Sequence, residues 1–224
     1  TSKNLDFEIY DKNIQKFNKK QNLDKFDQIL CSPGIPKSVF EEIKKENENV
    51  YTDVDLFFNN DYSIKIGITG TNRKSTTAFH LKQLFDNYEP SSLVGNIGNT
   101  LLDNINKAKY SIIELSSFQL DKMIENKLDY GILLNIDKDH LDYHGNFKSY
   151  KKAKEKILLA KKSISNELDP YRLFHWITGK EAKRINFENL PYRFQNVSKH
   201  IINDSKSTNF HSLNYAIKKA NQTF

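Results

Sequence analysis

Four stretches of this chain place side chains that act on phosphate, metal or acyl groups at the ends of apolar runs. In GITGTNRKSTT, residues 67–77, a glycine, small polar residues, a lysine and hydroxyls follow alternating isoleucines. Gly70 lets the backbone approach an anion, successive N–H groups at the helix start point at it, and Lys74 adds a compact positive charge. The hydroxyl of Ser75, with Thr76 beside it, suits a Mg2+ ion held together with phosphate. Arg73 stands where such turns carry glycine, and a side chain there is expected to hinder the close approach that glycine permits. An ordinary strand-to-helix loop capped by a hydroxyl has the same residue types, so this stretch alone leaves both readings open.

The second stretch, SIIELSSFQL at 111–120, ends an apolar run with Glu114, and the third, NIDKDHLDYHG at 135–145, gathers Asp137, Asp139, His140, Asp142 and His144. In a parallel sheet both fall at carboxyl strand ends, where ligands bind, and a carboxylate there suits a hard cation. A surface glutamate and a solvated acidic turn are the plainer alternatives. Leu141 excludes a zinc-protease helix, which needs glutamate after its first histidine, and an EF-hand, whose fifth position needs an oxygen. The fourth is Lys154, with Tyr150 at i−4, Ile157 at i+3 and Leu158 at i+4. This amine borders an apolar stripe, so it either snorkels to water or is buried and loses its proton more easily.

Four strands, predicted at 63–69, 91–96, 110–116 and 130–136, would present these groups, with helices at 75–87, 100–105 and 119–126 between them. After the last strand, NFKSYKKAKEKILLAKKSI at 146–164 reads as the helix carrying Lys154, with Tyr150, Ala153, Ile157, Leu158 and Ile164 on one face. This alternation is that of a parallel α/β sheet. Before residue 63 the chain offers a strand at QILCS, a PGIP turn, a helix over 39–45 and another from Asp53, without an opening strand and glycine-rich turn. Beyond Ile164 no clear βαβ unit is legible. Leu213, Ala216, Ile217 and Ala220 then share one face of a last helix, with cap candidates at 207–209.

The composition is that of a soluble globular chain, with 38% hydrophobic and 28% charged residues among 224. No run approaches the roughly 18 apolar residues of a membrane span, and no basic-then-apolar leader opens the chain, so no membrane partner and a cytoplasmic location are expected. The single cysteine, Cys31, excludes an intramolecular disulfide and a cysteine metal cluster, and is expected to be buried. The net charge of +6 comes from lysines scattered along the chain, which argues against a nucleic-acid surface. His80, His175, Trp176, His200 and His211 are read as packing or surface residues.

In order, SPGIP, DVDLF, GITGTNRKSTT, GNIG, ELSSFQL, NIDKDHLDYHGNFKSYKKAKEKI, LPYRF and NDSKSTN resemble the Mur ligases, and within that family its D-glutamate-adding branch. The resemblance implies a P-loop-type central ATPase domain on a parallel sheet over 63–196. It also implies partial Rossmann-like domains over 1–62, on the UDP-substrate side, and 197–224. It implies ATP-dependent joining of D-glutamate to UDP-N-acetylmuramoyl-L-alanine by a monomer, with ATP and Mg2+. Gly70, Thr71, Asn72, Lys74, Ser75 and Thr76 would hold ATP phosphates, joined by Arg193, Asp204 and Lys206. Ser75 and Glu114 would ligate one Mg2+, and His140 a second with Lys154 as a carbamate, making Lys74, His140 and Lys154 the catalytic set. Asn96, Ser116 and Gln119 would line the muramoyl site, and Thr208 would face D-glutamate.

The departures from the family pattern are Arg73, the absent uridine-side opening strand, a central domain shortened between about 164 and 189, and a C-terminal domain of which little is present. They predict little or no ligase activity for this chain by itself. A non-catalytic nucleotide-binding or regulatory remnant is the competing reading.

Overall fold

The computed structural model describes residues 6–11, 13, 22–207 and 210–220. Its centre is a five-stranded sheet in the order β4-β5-β3-β6-β7, formed by β3 (Ile64–Thr69), β4 (Ser91–Gly95), β5 (Tyr110–Glu114), β6 (Tyr130–Leu133) and β7 (Lys162–Ser165). Every neighbouring pair is parallel. From β3 the chain moves to one side for β4 and β5 and to the other for β6 and β7. The connections therefore part at the carboxyl end of β3, the place where open α/β sheets bind ligands.

The four predicted strands are all present, and β7 is a fifth where a helix through Ile164 is predicted: the helix ends at Glu155, a 3-10 turn follows over Lys156–Leu159, and Ile164 lies in the strand. Its stretch KSIS carries one apolar residue because it forms an edge of the sheet and three of its four residues are exposed. Without a buried face it has no alternation to read. The predicted helix over 100–105 is only a 3-10 turn, Leu102–Asn104, closed by Asn106 at φ 58.

One face of the sheet is covered by α3 (Lys74–Asp86) and α7 (Pro170–Thr178), whose Leu81, Phe85, Leu173 and Phe174 pack on Ile66, Ile68, Ile112 and Ile132. Phe85 and Phe174 meet edge to face at 5.0 Å between ring centroids. α7 has the signals of an independent helix: Asp169 caps its first turn, Pro170 starts it and Gly179 at φ 70 ends it. The other face receives α2 (Asp53–Asn60), α4 (Ser117–Lys122) and the segment after α6 (Phe147–Glu155), with Val54, Phe57, Leu120 and Ile157 against Ile113 and Leu133. Between β6 and α6 lies the one-turn α5 (Leu141–His144).

Ahead of the sheet, β1 (Ile29–Leu30), α1 (Lys37–Glu46) and β2 (Val50–Tyr51) form a small parallel unit around Cys31, Phe40 and Val50. Cys31 is buried as expected, and burial pushes its thiol pKa up. Lys122 holds this unit to α4, donating to the Pro33 carbonyl at 2.6 Å and the Tyr143 hydroxyl at 2.7 Å. Lys37 pairs with Asp121 at 2.8 Å across the same boundary. Beyond the sheet, β8 (Gln195–Ser198) and β9 (Ile201–Asn203) form an antiparallel hairpin, followed by α8 (Phe210–Ala220). The predicted apolar face of α8 is only partly covered: Ala216 is buried, whereas Leu213 and Ile217 are about half exposed.

Candidate active site

The loop 70–73 joins β3 to α3 and is laced to the end of β6. A Cβ on Gly70 would stand 3.0 Å from Leu134 Cβ and 3.3 Å from the Asn135 nitrogen, so only glycine lets the two segments pack this closely. Thr71 N donates to the Asn135 carbonyl at 3.0 Å. Asn72 N donates to Asn135 Oδ1 at 2.8 Å, and Asn135 Nδ2 returns a bond to the Asn72 carbonyl at 3.0 Å. Thr71 Oγ1 accepts from Asp137 N at 2.9 Å and lies 2.8 Å from the Tyr150 hydroxyl. Asn135 and Tyr150 thus build the turn, a role the sequence reading did not assign. The signal lay in the register, since Asn135 follows directly on the apolar run of β6.

Arg73 adopts φ 66, ψ 5, the left-handed conformation that explains why glycine suits this position. The chain pays local strain there and still closes the turn. The Arg73 side chain is exposed, and its charge is felt by His80, two turns along α3. Arg73 thus carries a backbone cost that is separate from any hindrance its side chain offers a ligand.

Lys74 folds over the loop, its Nζ donating to the Thr71 carbonyl at 3.0 Å. Burial lowers its pKa, the charges of Glu114 and Asp139 oppose that shift, and Arg193 adds to it. Ser75 is buried in the first turn of α3 and accepts a hydrogen bond from Arg193 Nη2 at 3.2 Å; Thr76 is half-buried beside it. Glu114, at the end of β5, is 1% exposed. Its Oε1 accepts from Asn96 Nδ2 at 2.9 Å, while its buried Oε2 has no hydrogen-bond partner among the described residues.

Lys154 does not snorkel. It is 2% exposed, with Nζ donating to the Gly70 carbonyl at 2.8 Å and to Thr69 Oγ1 at 3.2 Å, and standing 5.2 Å from the centre of the Tyr150 ring. Burial drives its pKa well below the usual lysine value, helped by Lys74 and opposed by Asp139 and Glu114. Lys74, Glu114 and Lys154, from three separated stretches, therefore share one electrostatic environment at the carboxyl end of the sheet. His140 stands at its margin. It begins α5 in a left-handed conformation, φ 48, with its ring 5.0 Å from Phe118 and 6.4 Å from Tyr150. Its Nε2 lies 3.7 Å from Asp139 Oδ2 and its side chain is 46% exposed.

Ser116 and Gln119 cap α4 reciprocally. Gln119 N donates to Ser116 Oγ at 3.2 Å and Ser116 N to Gln119 Oε1 at 3.0 Å. Arg193, Asp204 and Lys206 converge in one clip: Phe194 N donates to Asp204 Oδ1 at 2.8 Å and Lys206 N to the Tyr192 carbonyl at 3.1 Å. Tyr192 and Phe194 flank Arg193 with φ 64 and 47, and Arg193 reaches back to Ser75. Thr208 lies outside the described residues.

Among the described residues no three His, Cys, Asp or Glu side chains group together as a metal cage. Mg2+ does not need one, since it is commonly held by one or two carboxylates, with phosphate and water completing the octahedron. The Oε2 of Glu114, unpartnered among the described residues, fits that mode, with Ser75 a second oxygen donor in the first turn of α3. Lys154 as an amine donates to Gly70 and Thr69 and does not fit as a ligand for a hard cation; only an oxygen carried on its modified nitrogen would.

The Mur ligase middle domain family matches residues 68–222. The chain belongs to the Mur ligase family. Among curated relatives, the UDP-N-acetylmuramoylalanine–D-glutamate ligase of Francisella tularensis subsp. novicida is 41% identical over 160 residues, 67% of this chain and 37% of that protein. The ligase of the same name from Francisella philomiragia is 39% identical over 140 residues, 59% of this chain and 34% of that one. This Mur ligase chain thus spans about a third of the length of the curated relatives it matches. Among solved structures, the MurF ligase of Thermotoga maritima in complex with ADP is 16% identical, with 64% of this chain and 44% of that one covered and a TM-score of 0.41. Among the described residues no helix is long and apolar enough to cross a membrane.

Proposed function

We propose that this chain carries the ATP-handling centre of a UDP-N-acetylmuramoyl-L-alanine:D-glutamate ligase, acting in the cytoplasm in peptidoglycan synthesis. The supporting observation is the grouping of the half-buried Lys74 with the buried Glu114 and Lys154, mutually felt charges around the loop at the end of β3. In this reading residues 1–62 serve the UDP-substrate side, 63–196 the ATP side and 197–224 the closing side. The N–H groups of the first turn of α3, together with Lys74, orient the triphosphate so that its terminal phosphoryl group faces the muramoyl-alanine carboxylate, while the N–H groups of Thr71 and Asn72 stay on Asn135 and shape the loop. That carboxylate takes the phosphoryl group and ADP leaves; the neutral amine of D-glutamate then attacks the acyl carbon, phosphate leaves and a proton is lost. Arg193 moves from Ser75 onto the phosphate charge, and Thr208 faces D-glutamate.

Bound Mg2+, at Ser75 and Glu114, supplies neutralisation of the charge on the transferring group. Burial favours the neutral form of Lys154, whose lone pair would add CO2 with release of one proton; the resulting carbamate oxygen and His140 would hold a second Mg2+. Asn96, Ser116 and Gln119 border the muramoyl end.

The test is phosphate release by the purified chain with ATP, Mg2+, UDP-N-acetylmuramoyl-L-alanine and D-glutamate, alongside nucleotide titration of K74A. Turnover that needs both substrates and is lost in K154A supports the ligase. Lys74-dependent nucleotide binding without turnover supports a non-catalytic nucleotide module instead. Absence of nucleotide binding overturns both.

A further inference from the structure

The exposed Asn96 covers the most deeply buried acid of the site. Asn96 N donates to the Glu114 carbonyl at 2.9 Å, and its side-chain Nδ2 to Glu114 Oε1, also at 2.9 Å. One residue therefore grips both the backbone and the side chain of Glu114. The preceding Gly95 makes this possible, because at φ +101 a Cβ there would lie 2.4 Å from the Glu114 carbonyl oxygen. The end of β4 is built to close on the end of β5.

A free carboxylate rotates about its last torsion and can present either oxygen or both. In Glu114 one oxygen is occupied by Asn96 and the other, Oε2, is buried without a partner among the described residues. A carboxylate fixed in this way offers a single oxygen in a set direction. That suits a small cation of strict octahedral geometry, and outer partners of this kind commonly tune metal affinity about 10–100-fold.

We propose that Asn96 is a positioning residue for the Glu114 carboxylate, setting the metal affinity of the nucleotide site without needing the muramoyl substrate. This rests on the ligase reading of Glu114 as a metal ligand. It assigns Asn96 a role distinct from lining the substrate site.

The test is titration of Mn2+ into the whole chain saturated with a non-hydrolysable ATP analogue, with free Mn2+ read by electron paramagnetic resonance and no muramoyl compound present. N96A is expected to weaken Mn2+ about tenfold while affinity for the analogue in EDTA stays within about twofold, since the exposed amide bears on the carboxylate alone. Unchanged Mn2+ affinity in N96A overturns the proposal, as does an equal loss of metal-free analogue binding, which would mark Asn96 as a support of the loop. If N96A does not fold, N96S, too short to span to Oε1, is read by the same criteria. E114Q separates the two levels: Mn2+ affinity unaffected by E114Q removes the metal reading itself, whereas loss in E114Q with none in N96A removes only the role of Asn96.

Discussion

Replacing Arg73 by glycine tests whether this unusual residue taxes the fold or the ligand. Its backbone sits at φ 66, ψ 5, a conformation that costs a residue with a Cβ roughly 1–2 kcal/mol. Glycine removes that strain but gives the unfolded chain more freedom, which costs about 0.4–1 kcal/mol. The side chain is exposed, so its removal forfeits no buried contact. The net expectation is a stabilisation of about 0.5–1 kcal/mol, which for a chain of this size is roughly 1–4 °C in melting temperature. The turn is already closed in the glycine-like conformation, so ADP affinity should change by less than about threefold, within the worth of one exposed charge. Thermal unfolding followed by circular dichroism and ADP titration by calorimetry measure the two effects. A tenfold gain in ADP affinity would refute this reasoning and restore a side chain that blocks the ligand, and a lower melting temperature would refute the strain argument.

Burial lowers the Lys154 pKa below its usual 10.5, so its protonated form is favoured in the unfolded chain. K154M should be more stable than the parent at neutral pH, with the gap closing as pH rises toward 10.5 and the unfolded lysine also loses its proton; a constant gap in denaturant melts at pH 7, 8.5 and 10 would contradict this. His80, stacked on Phe187 at 4.4 Å, has its pKa lowered from 6.5 first by burial and then by Arg73. Its neutral form is the native one, so the parent should lose stability relative to H80Q as pH falls below 6.5, which melts between pH 5 and 7 read directly. R193A removes the charged hydrogen bond from the clip to Ser75, and at about 1.5 kcal/mol this should speed hydrogen exchange of the 195–203 hairpin roughly tenfold; unaltered exchange would show that the clip holds without it.

Much of the site was legible before the fold was known because phosphate and metal chemistry restrict residue types. Glycine before a hydroxyl-rich helix start, a glutamate ending an apolar strand and a lysine beside an apolar stripe are written locally, as is the alternation behind β3, β4, β5 and β6. The family was legible for the same reason. What a stretch offers by its own pattern can be read from that stretch alone.

The rest depended on neighbours. β7 exists because β6 presents an open edge to pair with, and the helix expected at 100–105 shortens because Asn106 turns the chain at φ 58. Whether Lys154 snorkelled or was buried was undecidable from its helix, since the carbonyl and hydroxyl that receive its protons come from Gly70 and Thr69, more than eighty residues away. Asn96, assigned from the resemblance to the muramoyl site, shows its hold on Glu114 only once β4 lies against β5. Residue type and local period determined which groups this Mur ligase chain has; burial and pairing, which sum contacts over distant segments, decided their protonation, their orientation and their partners.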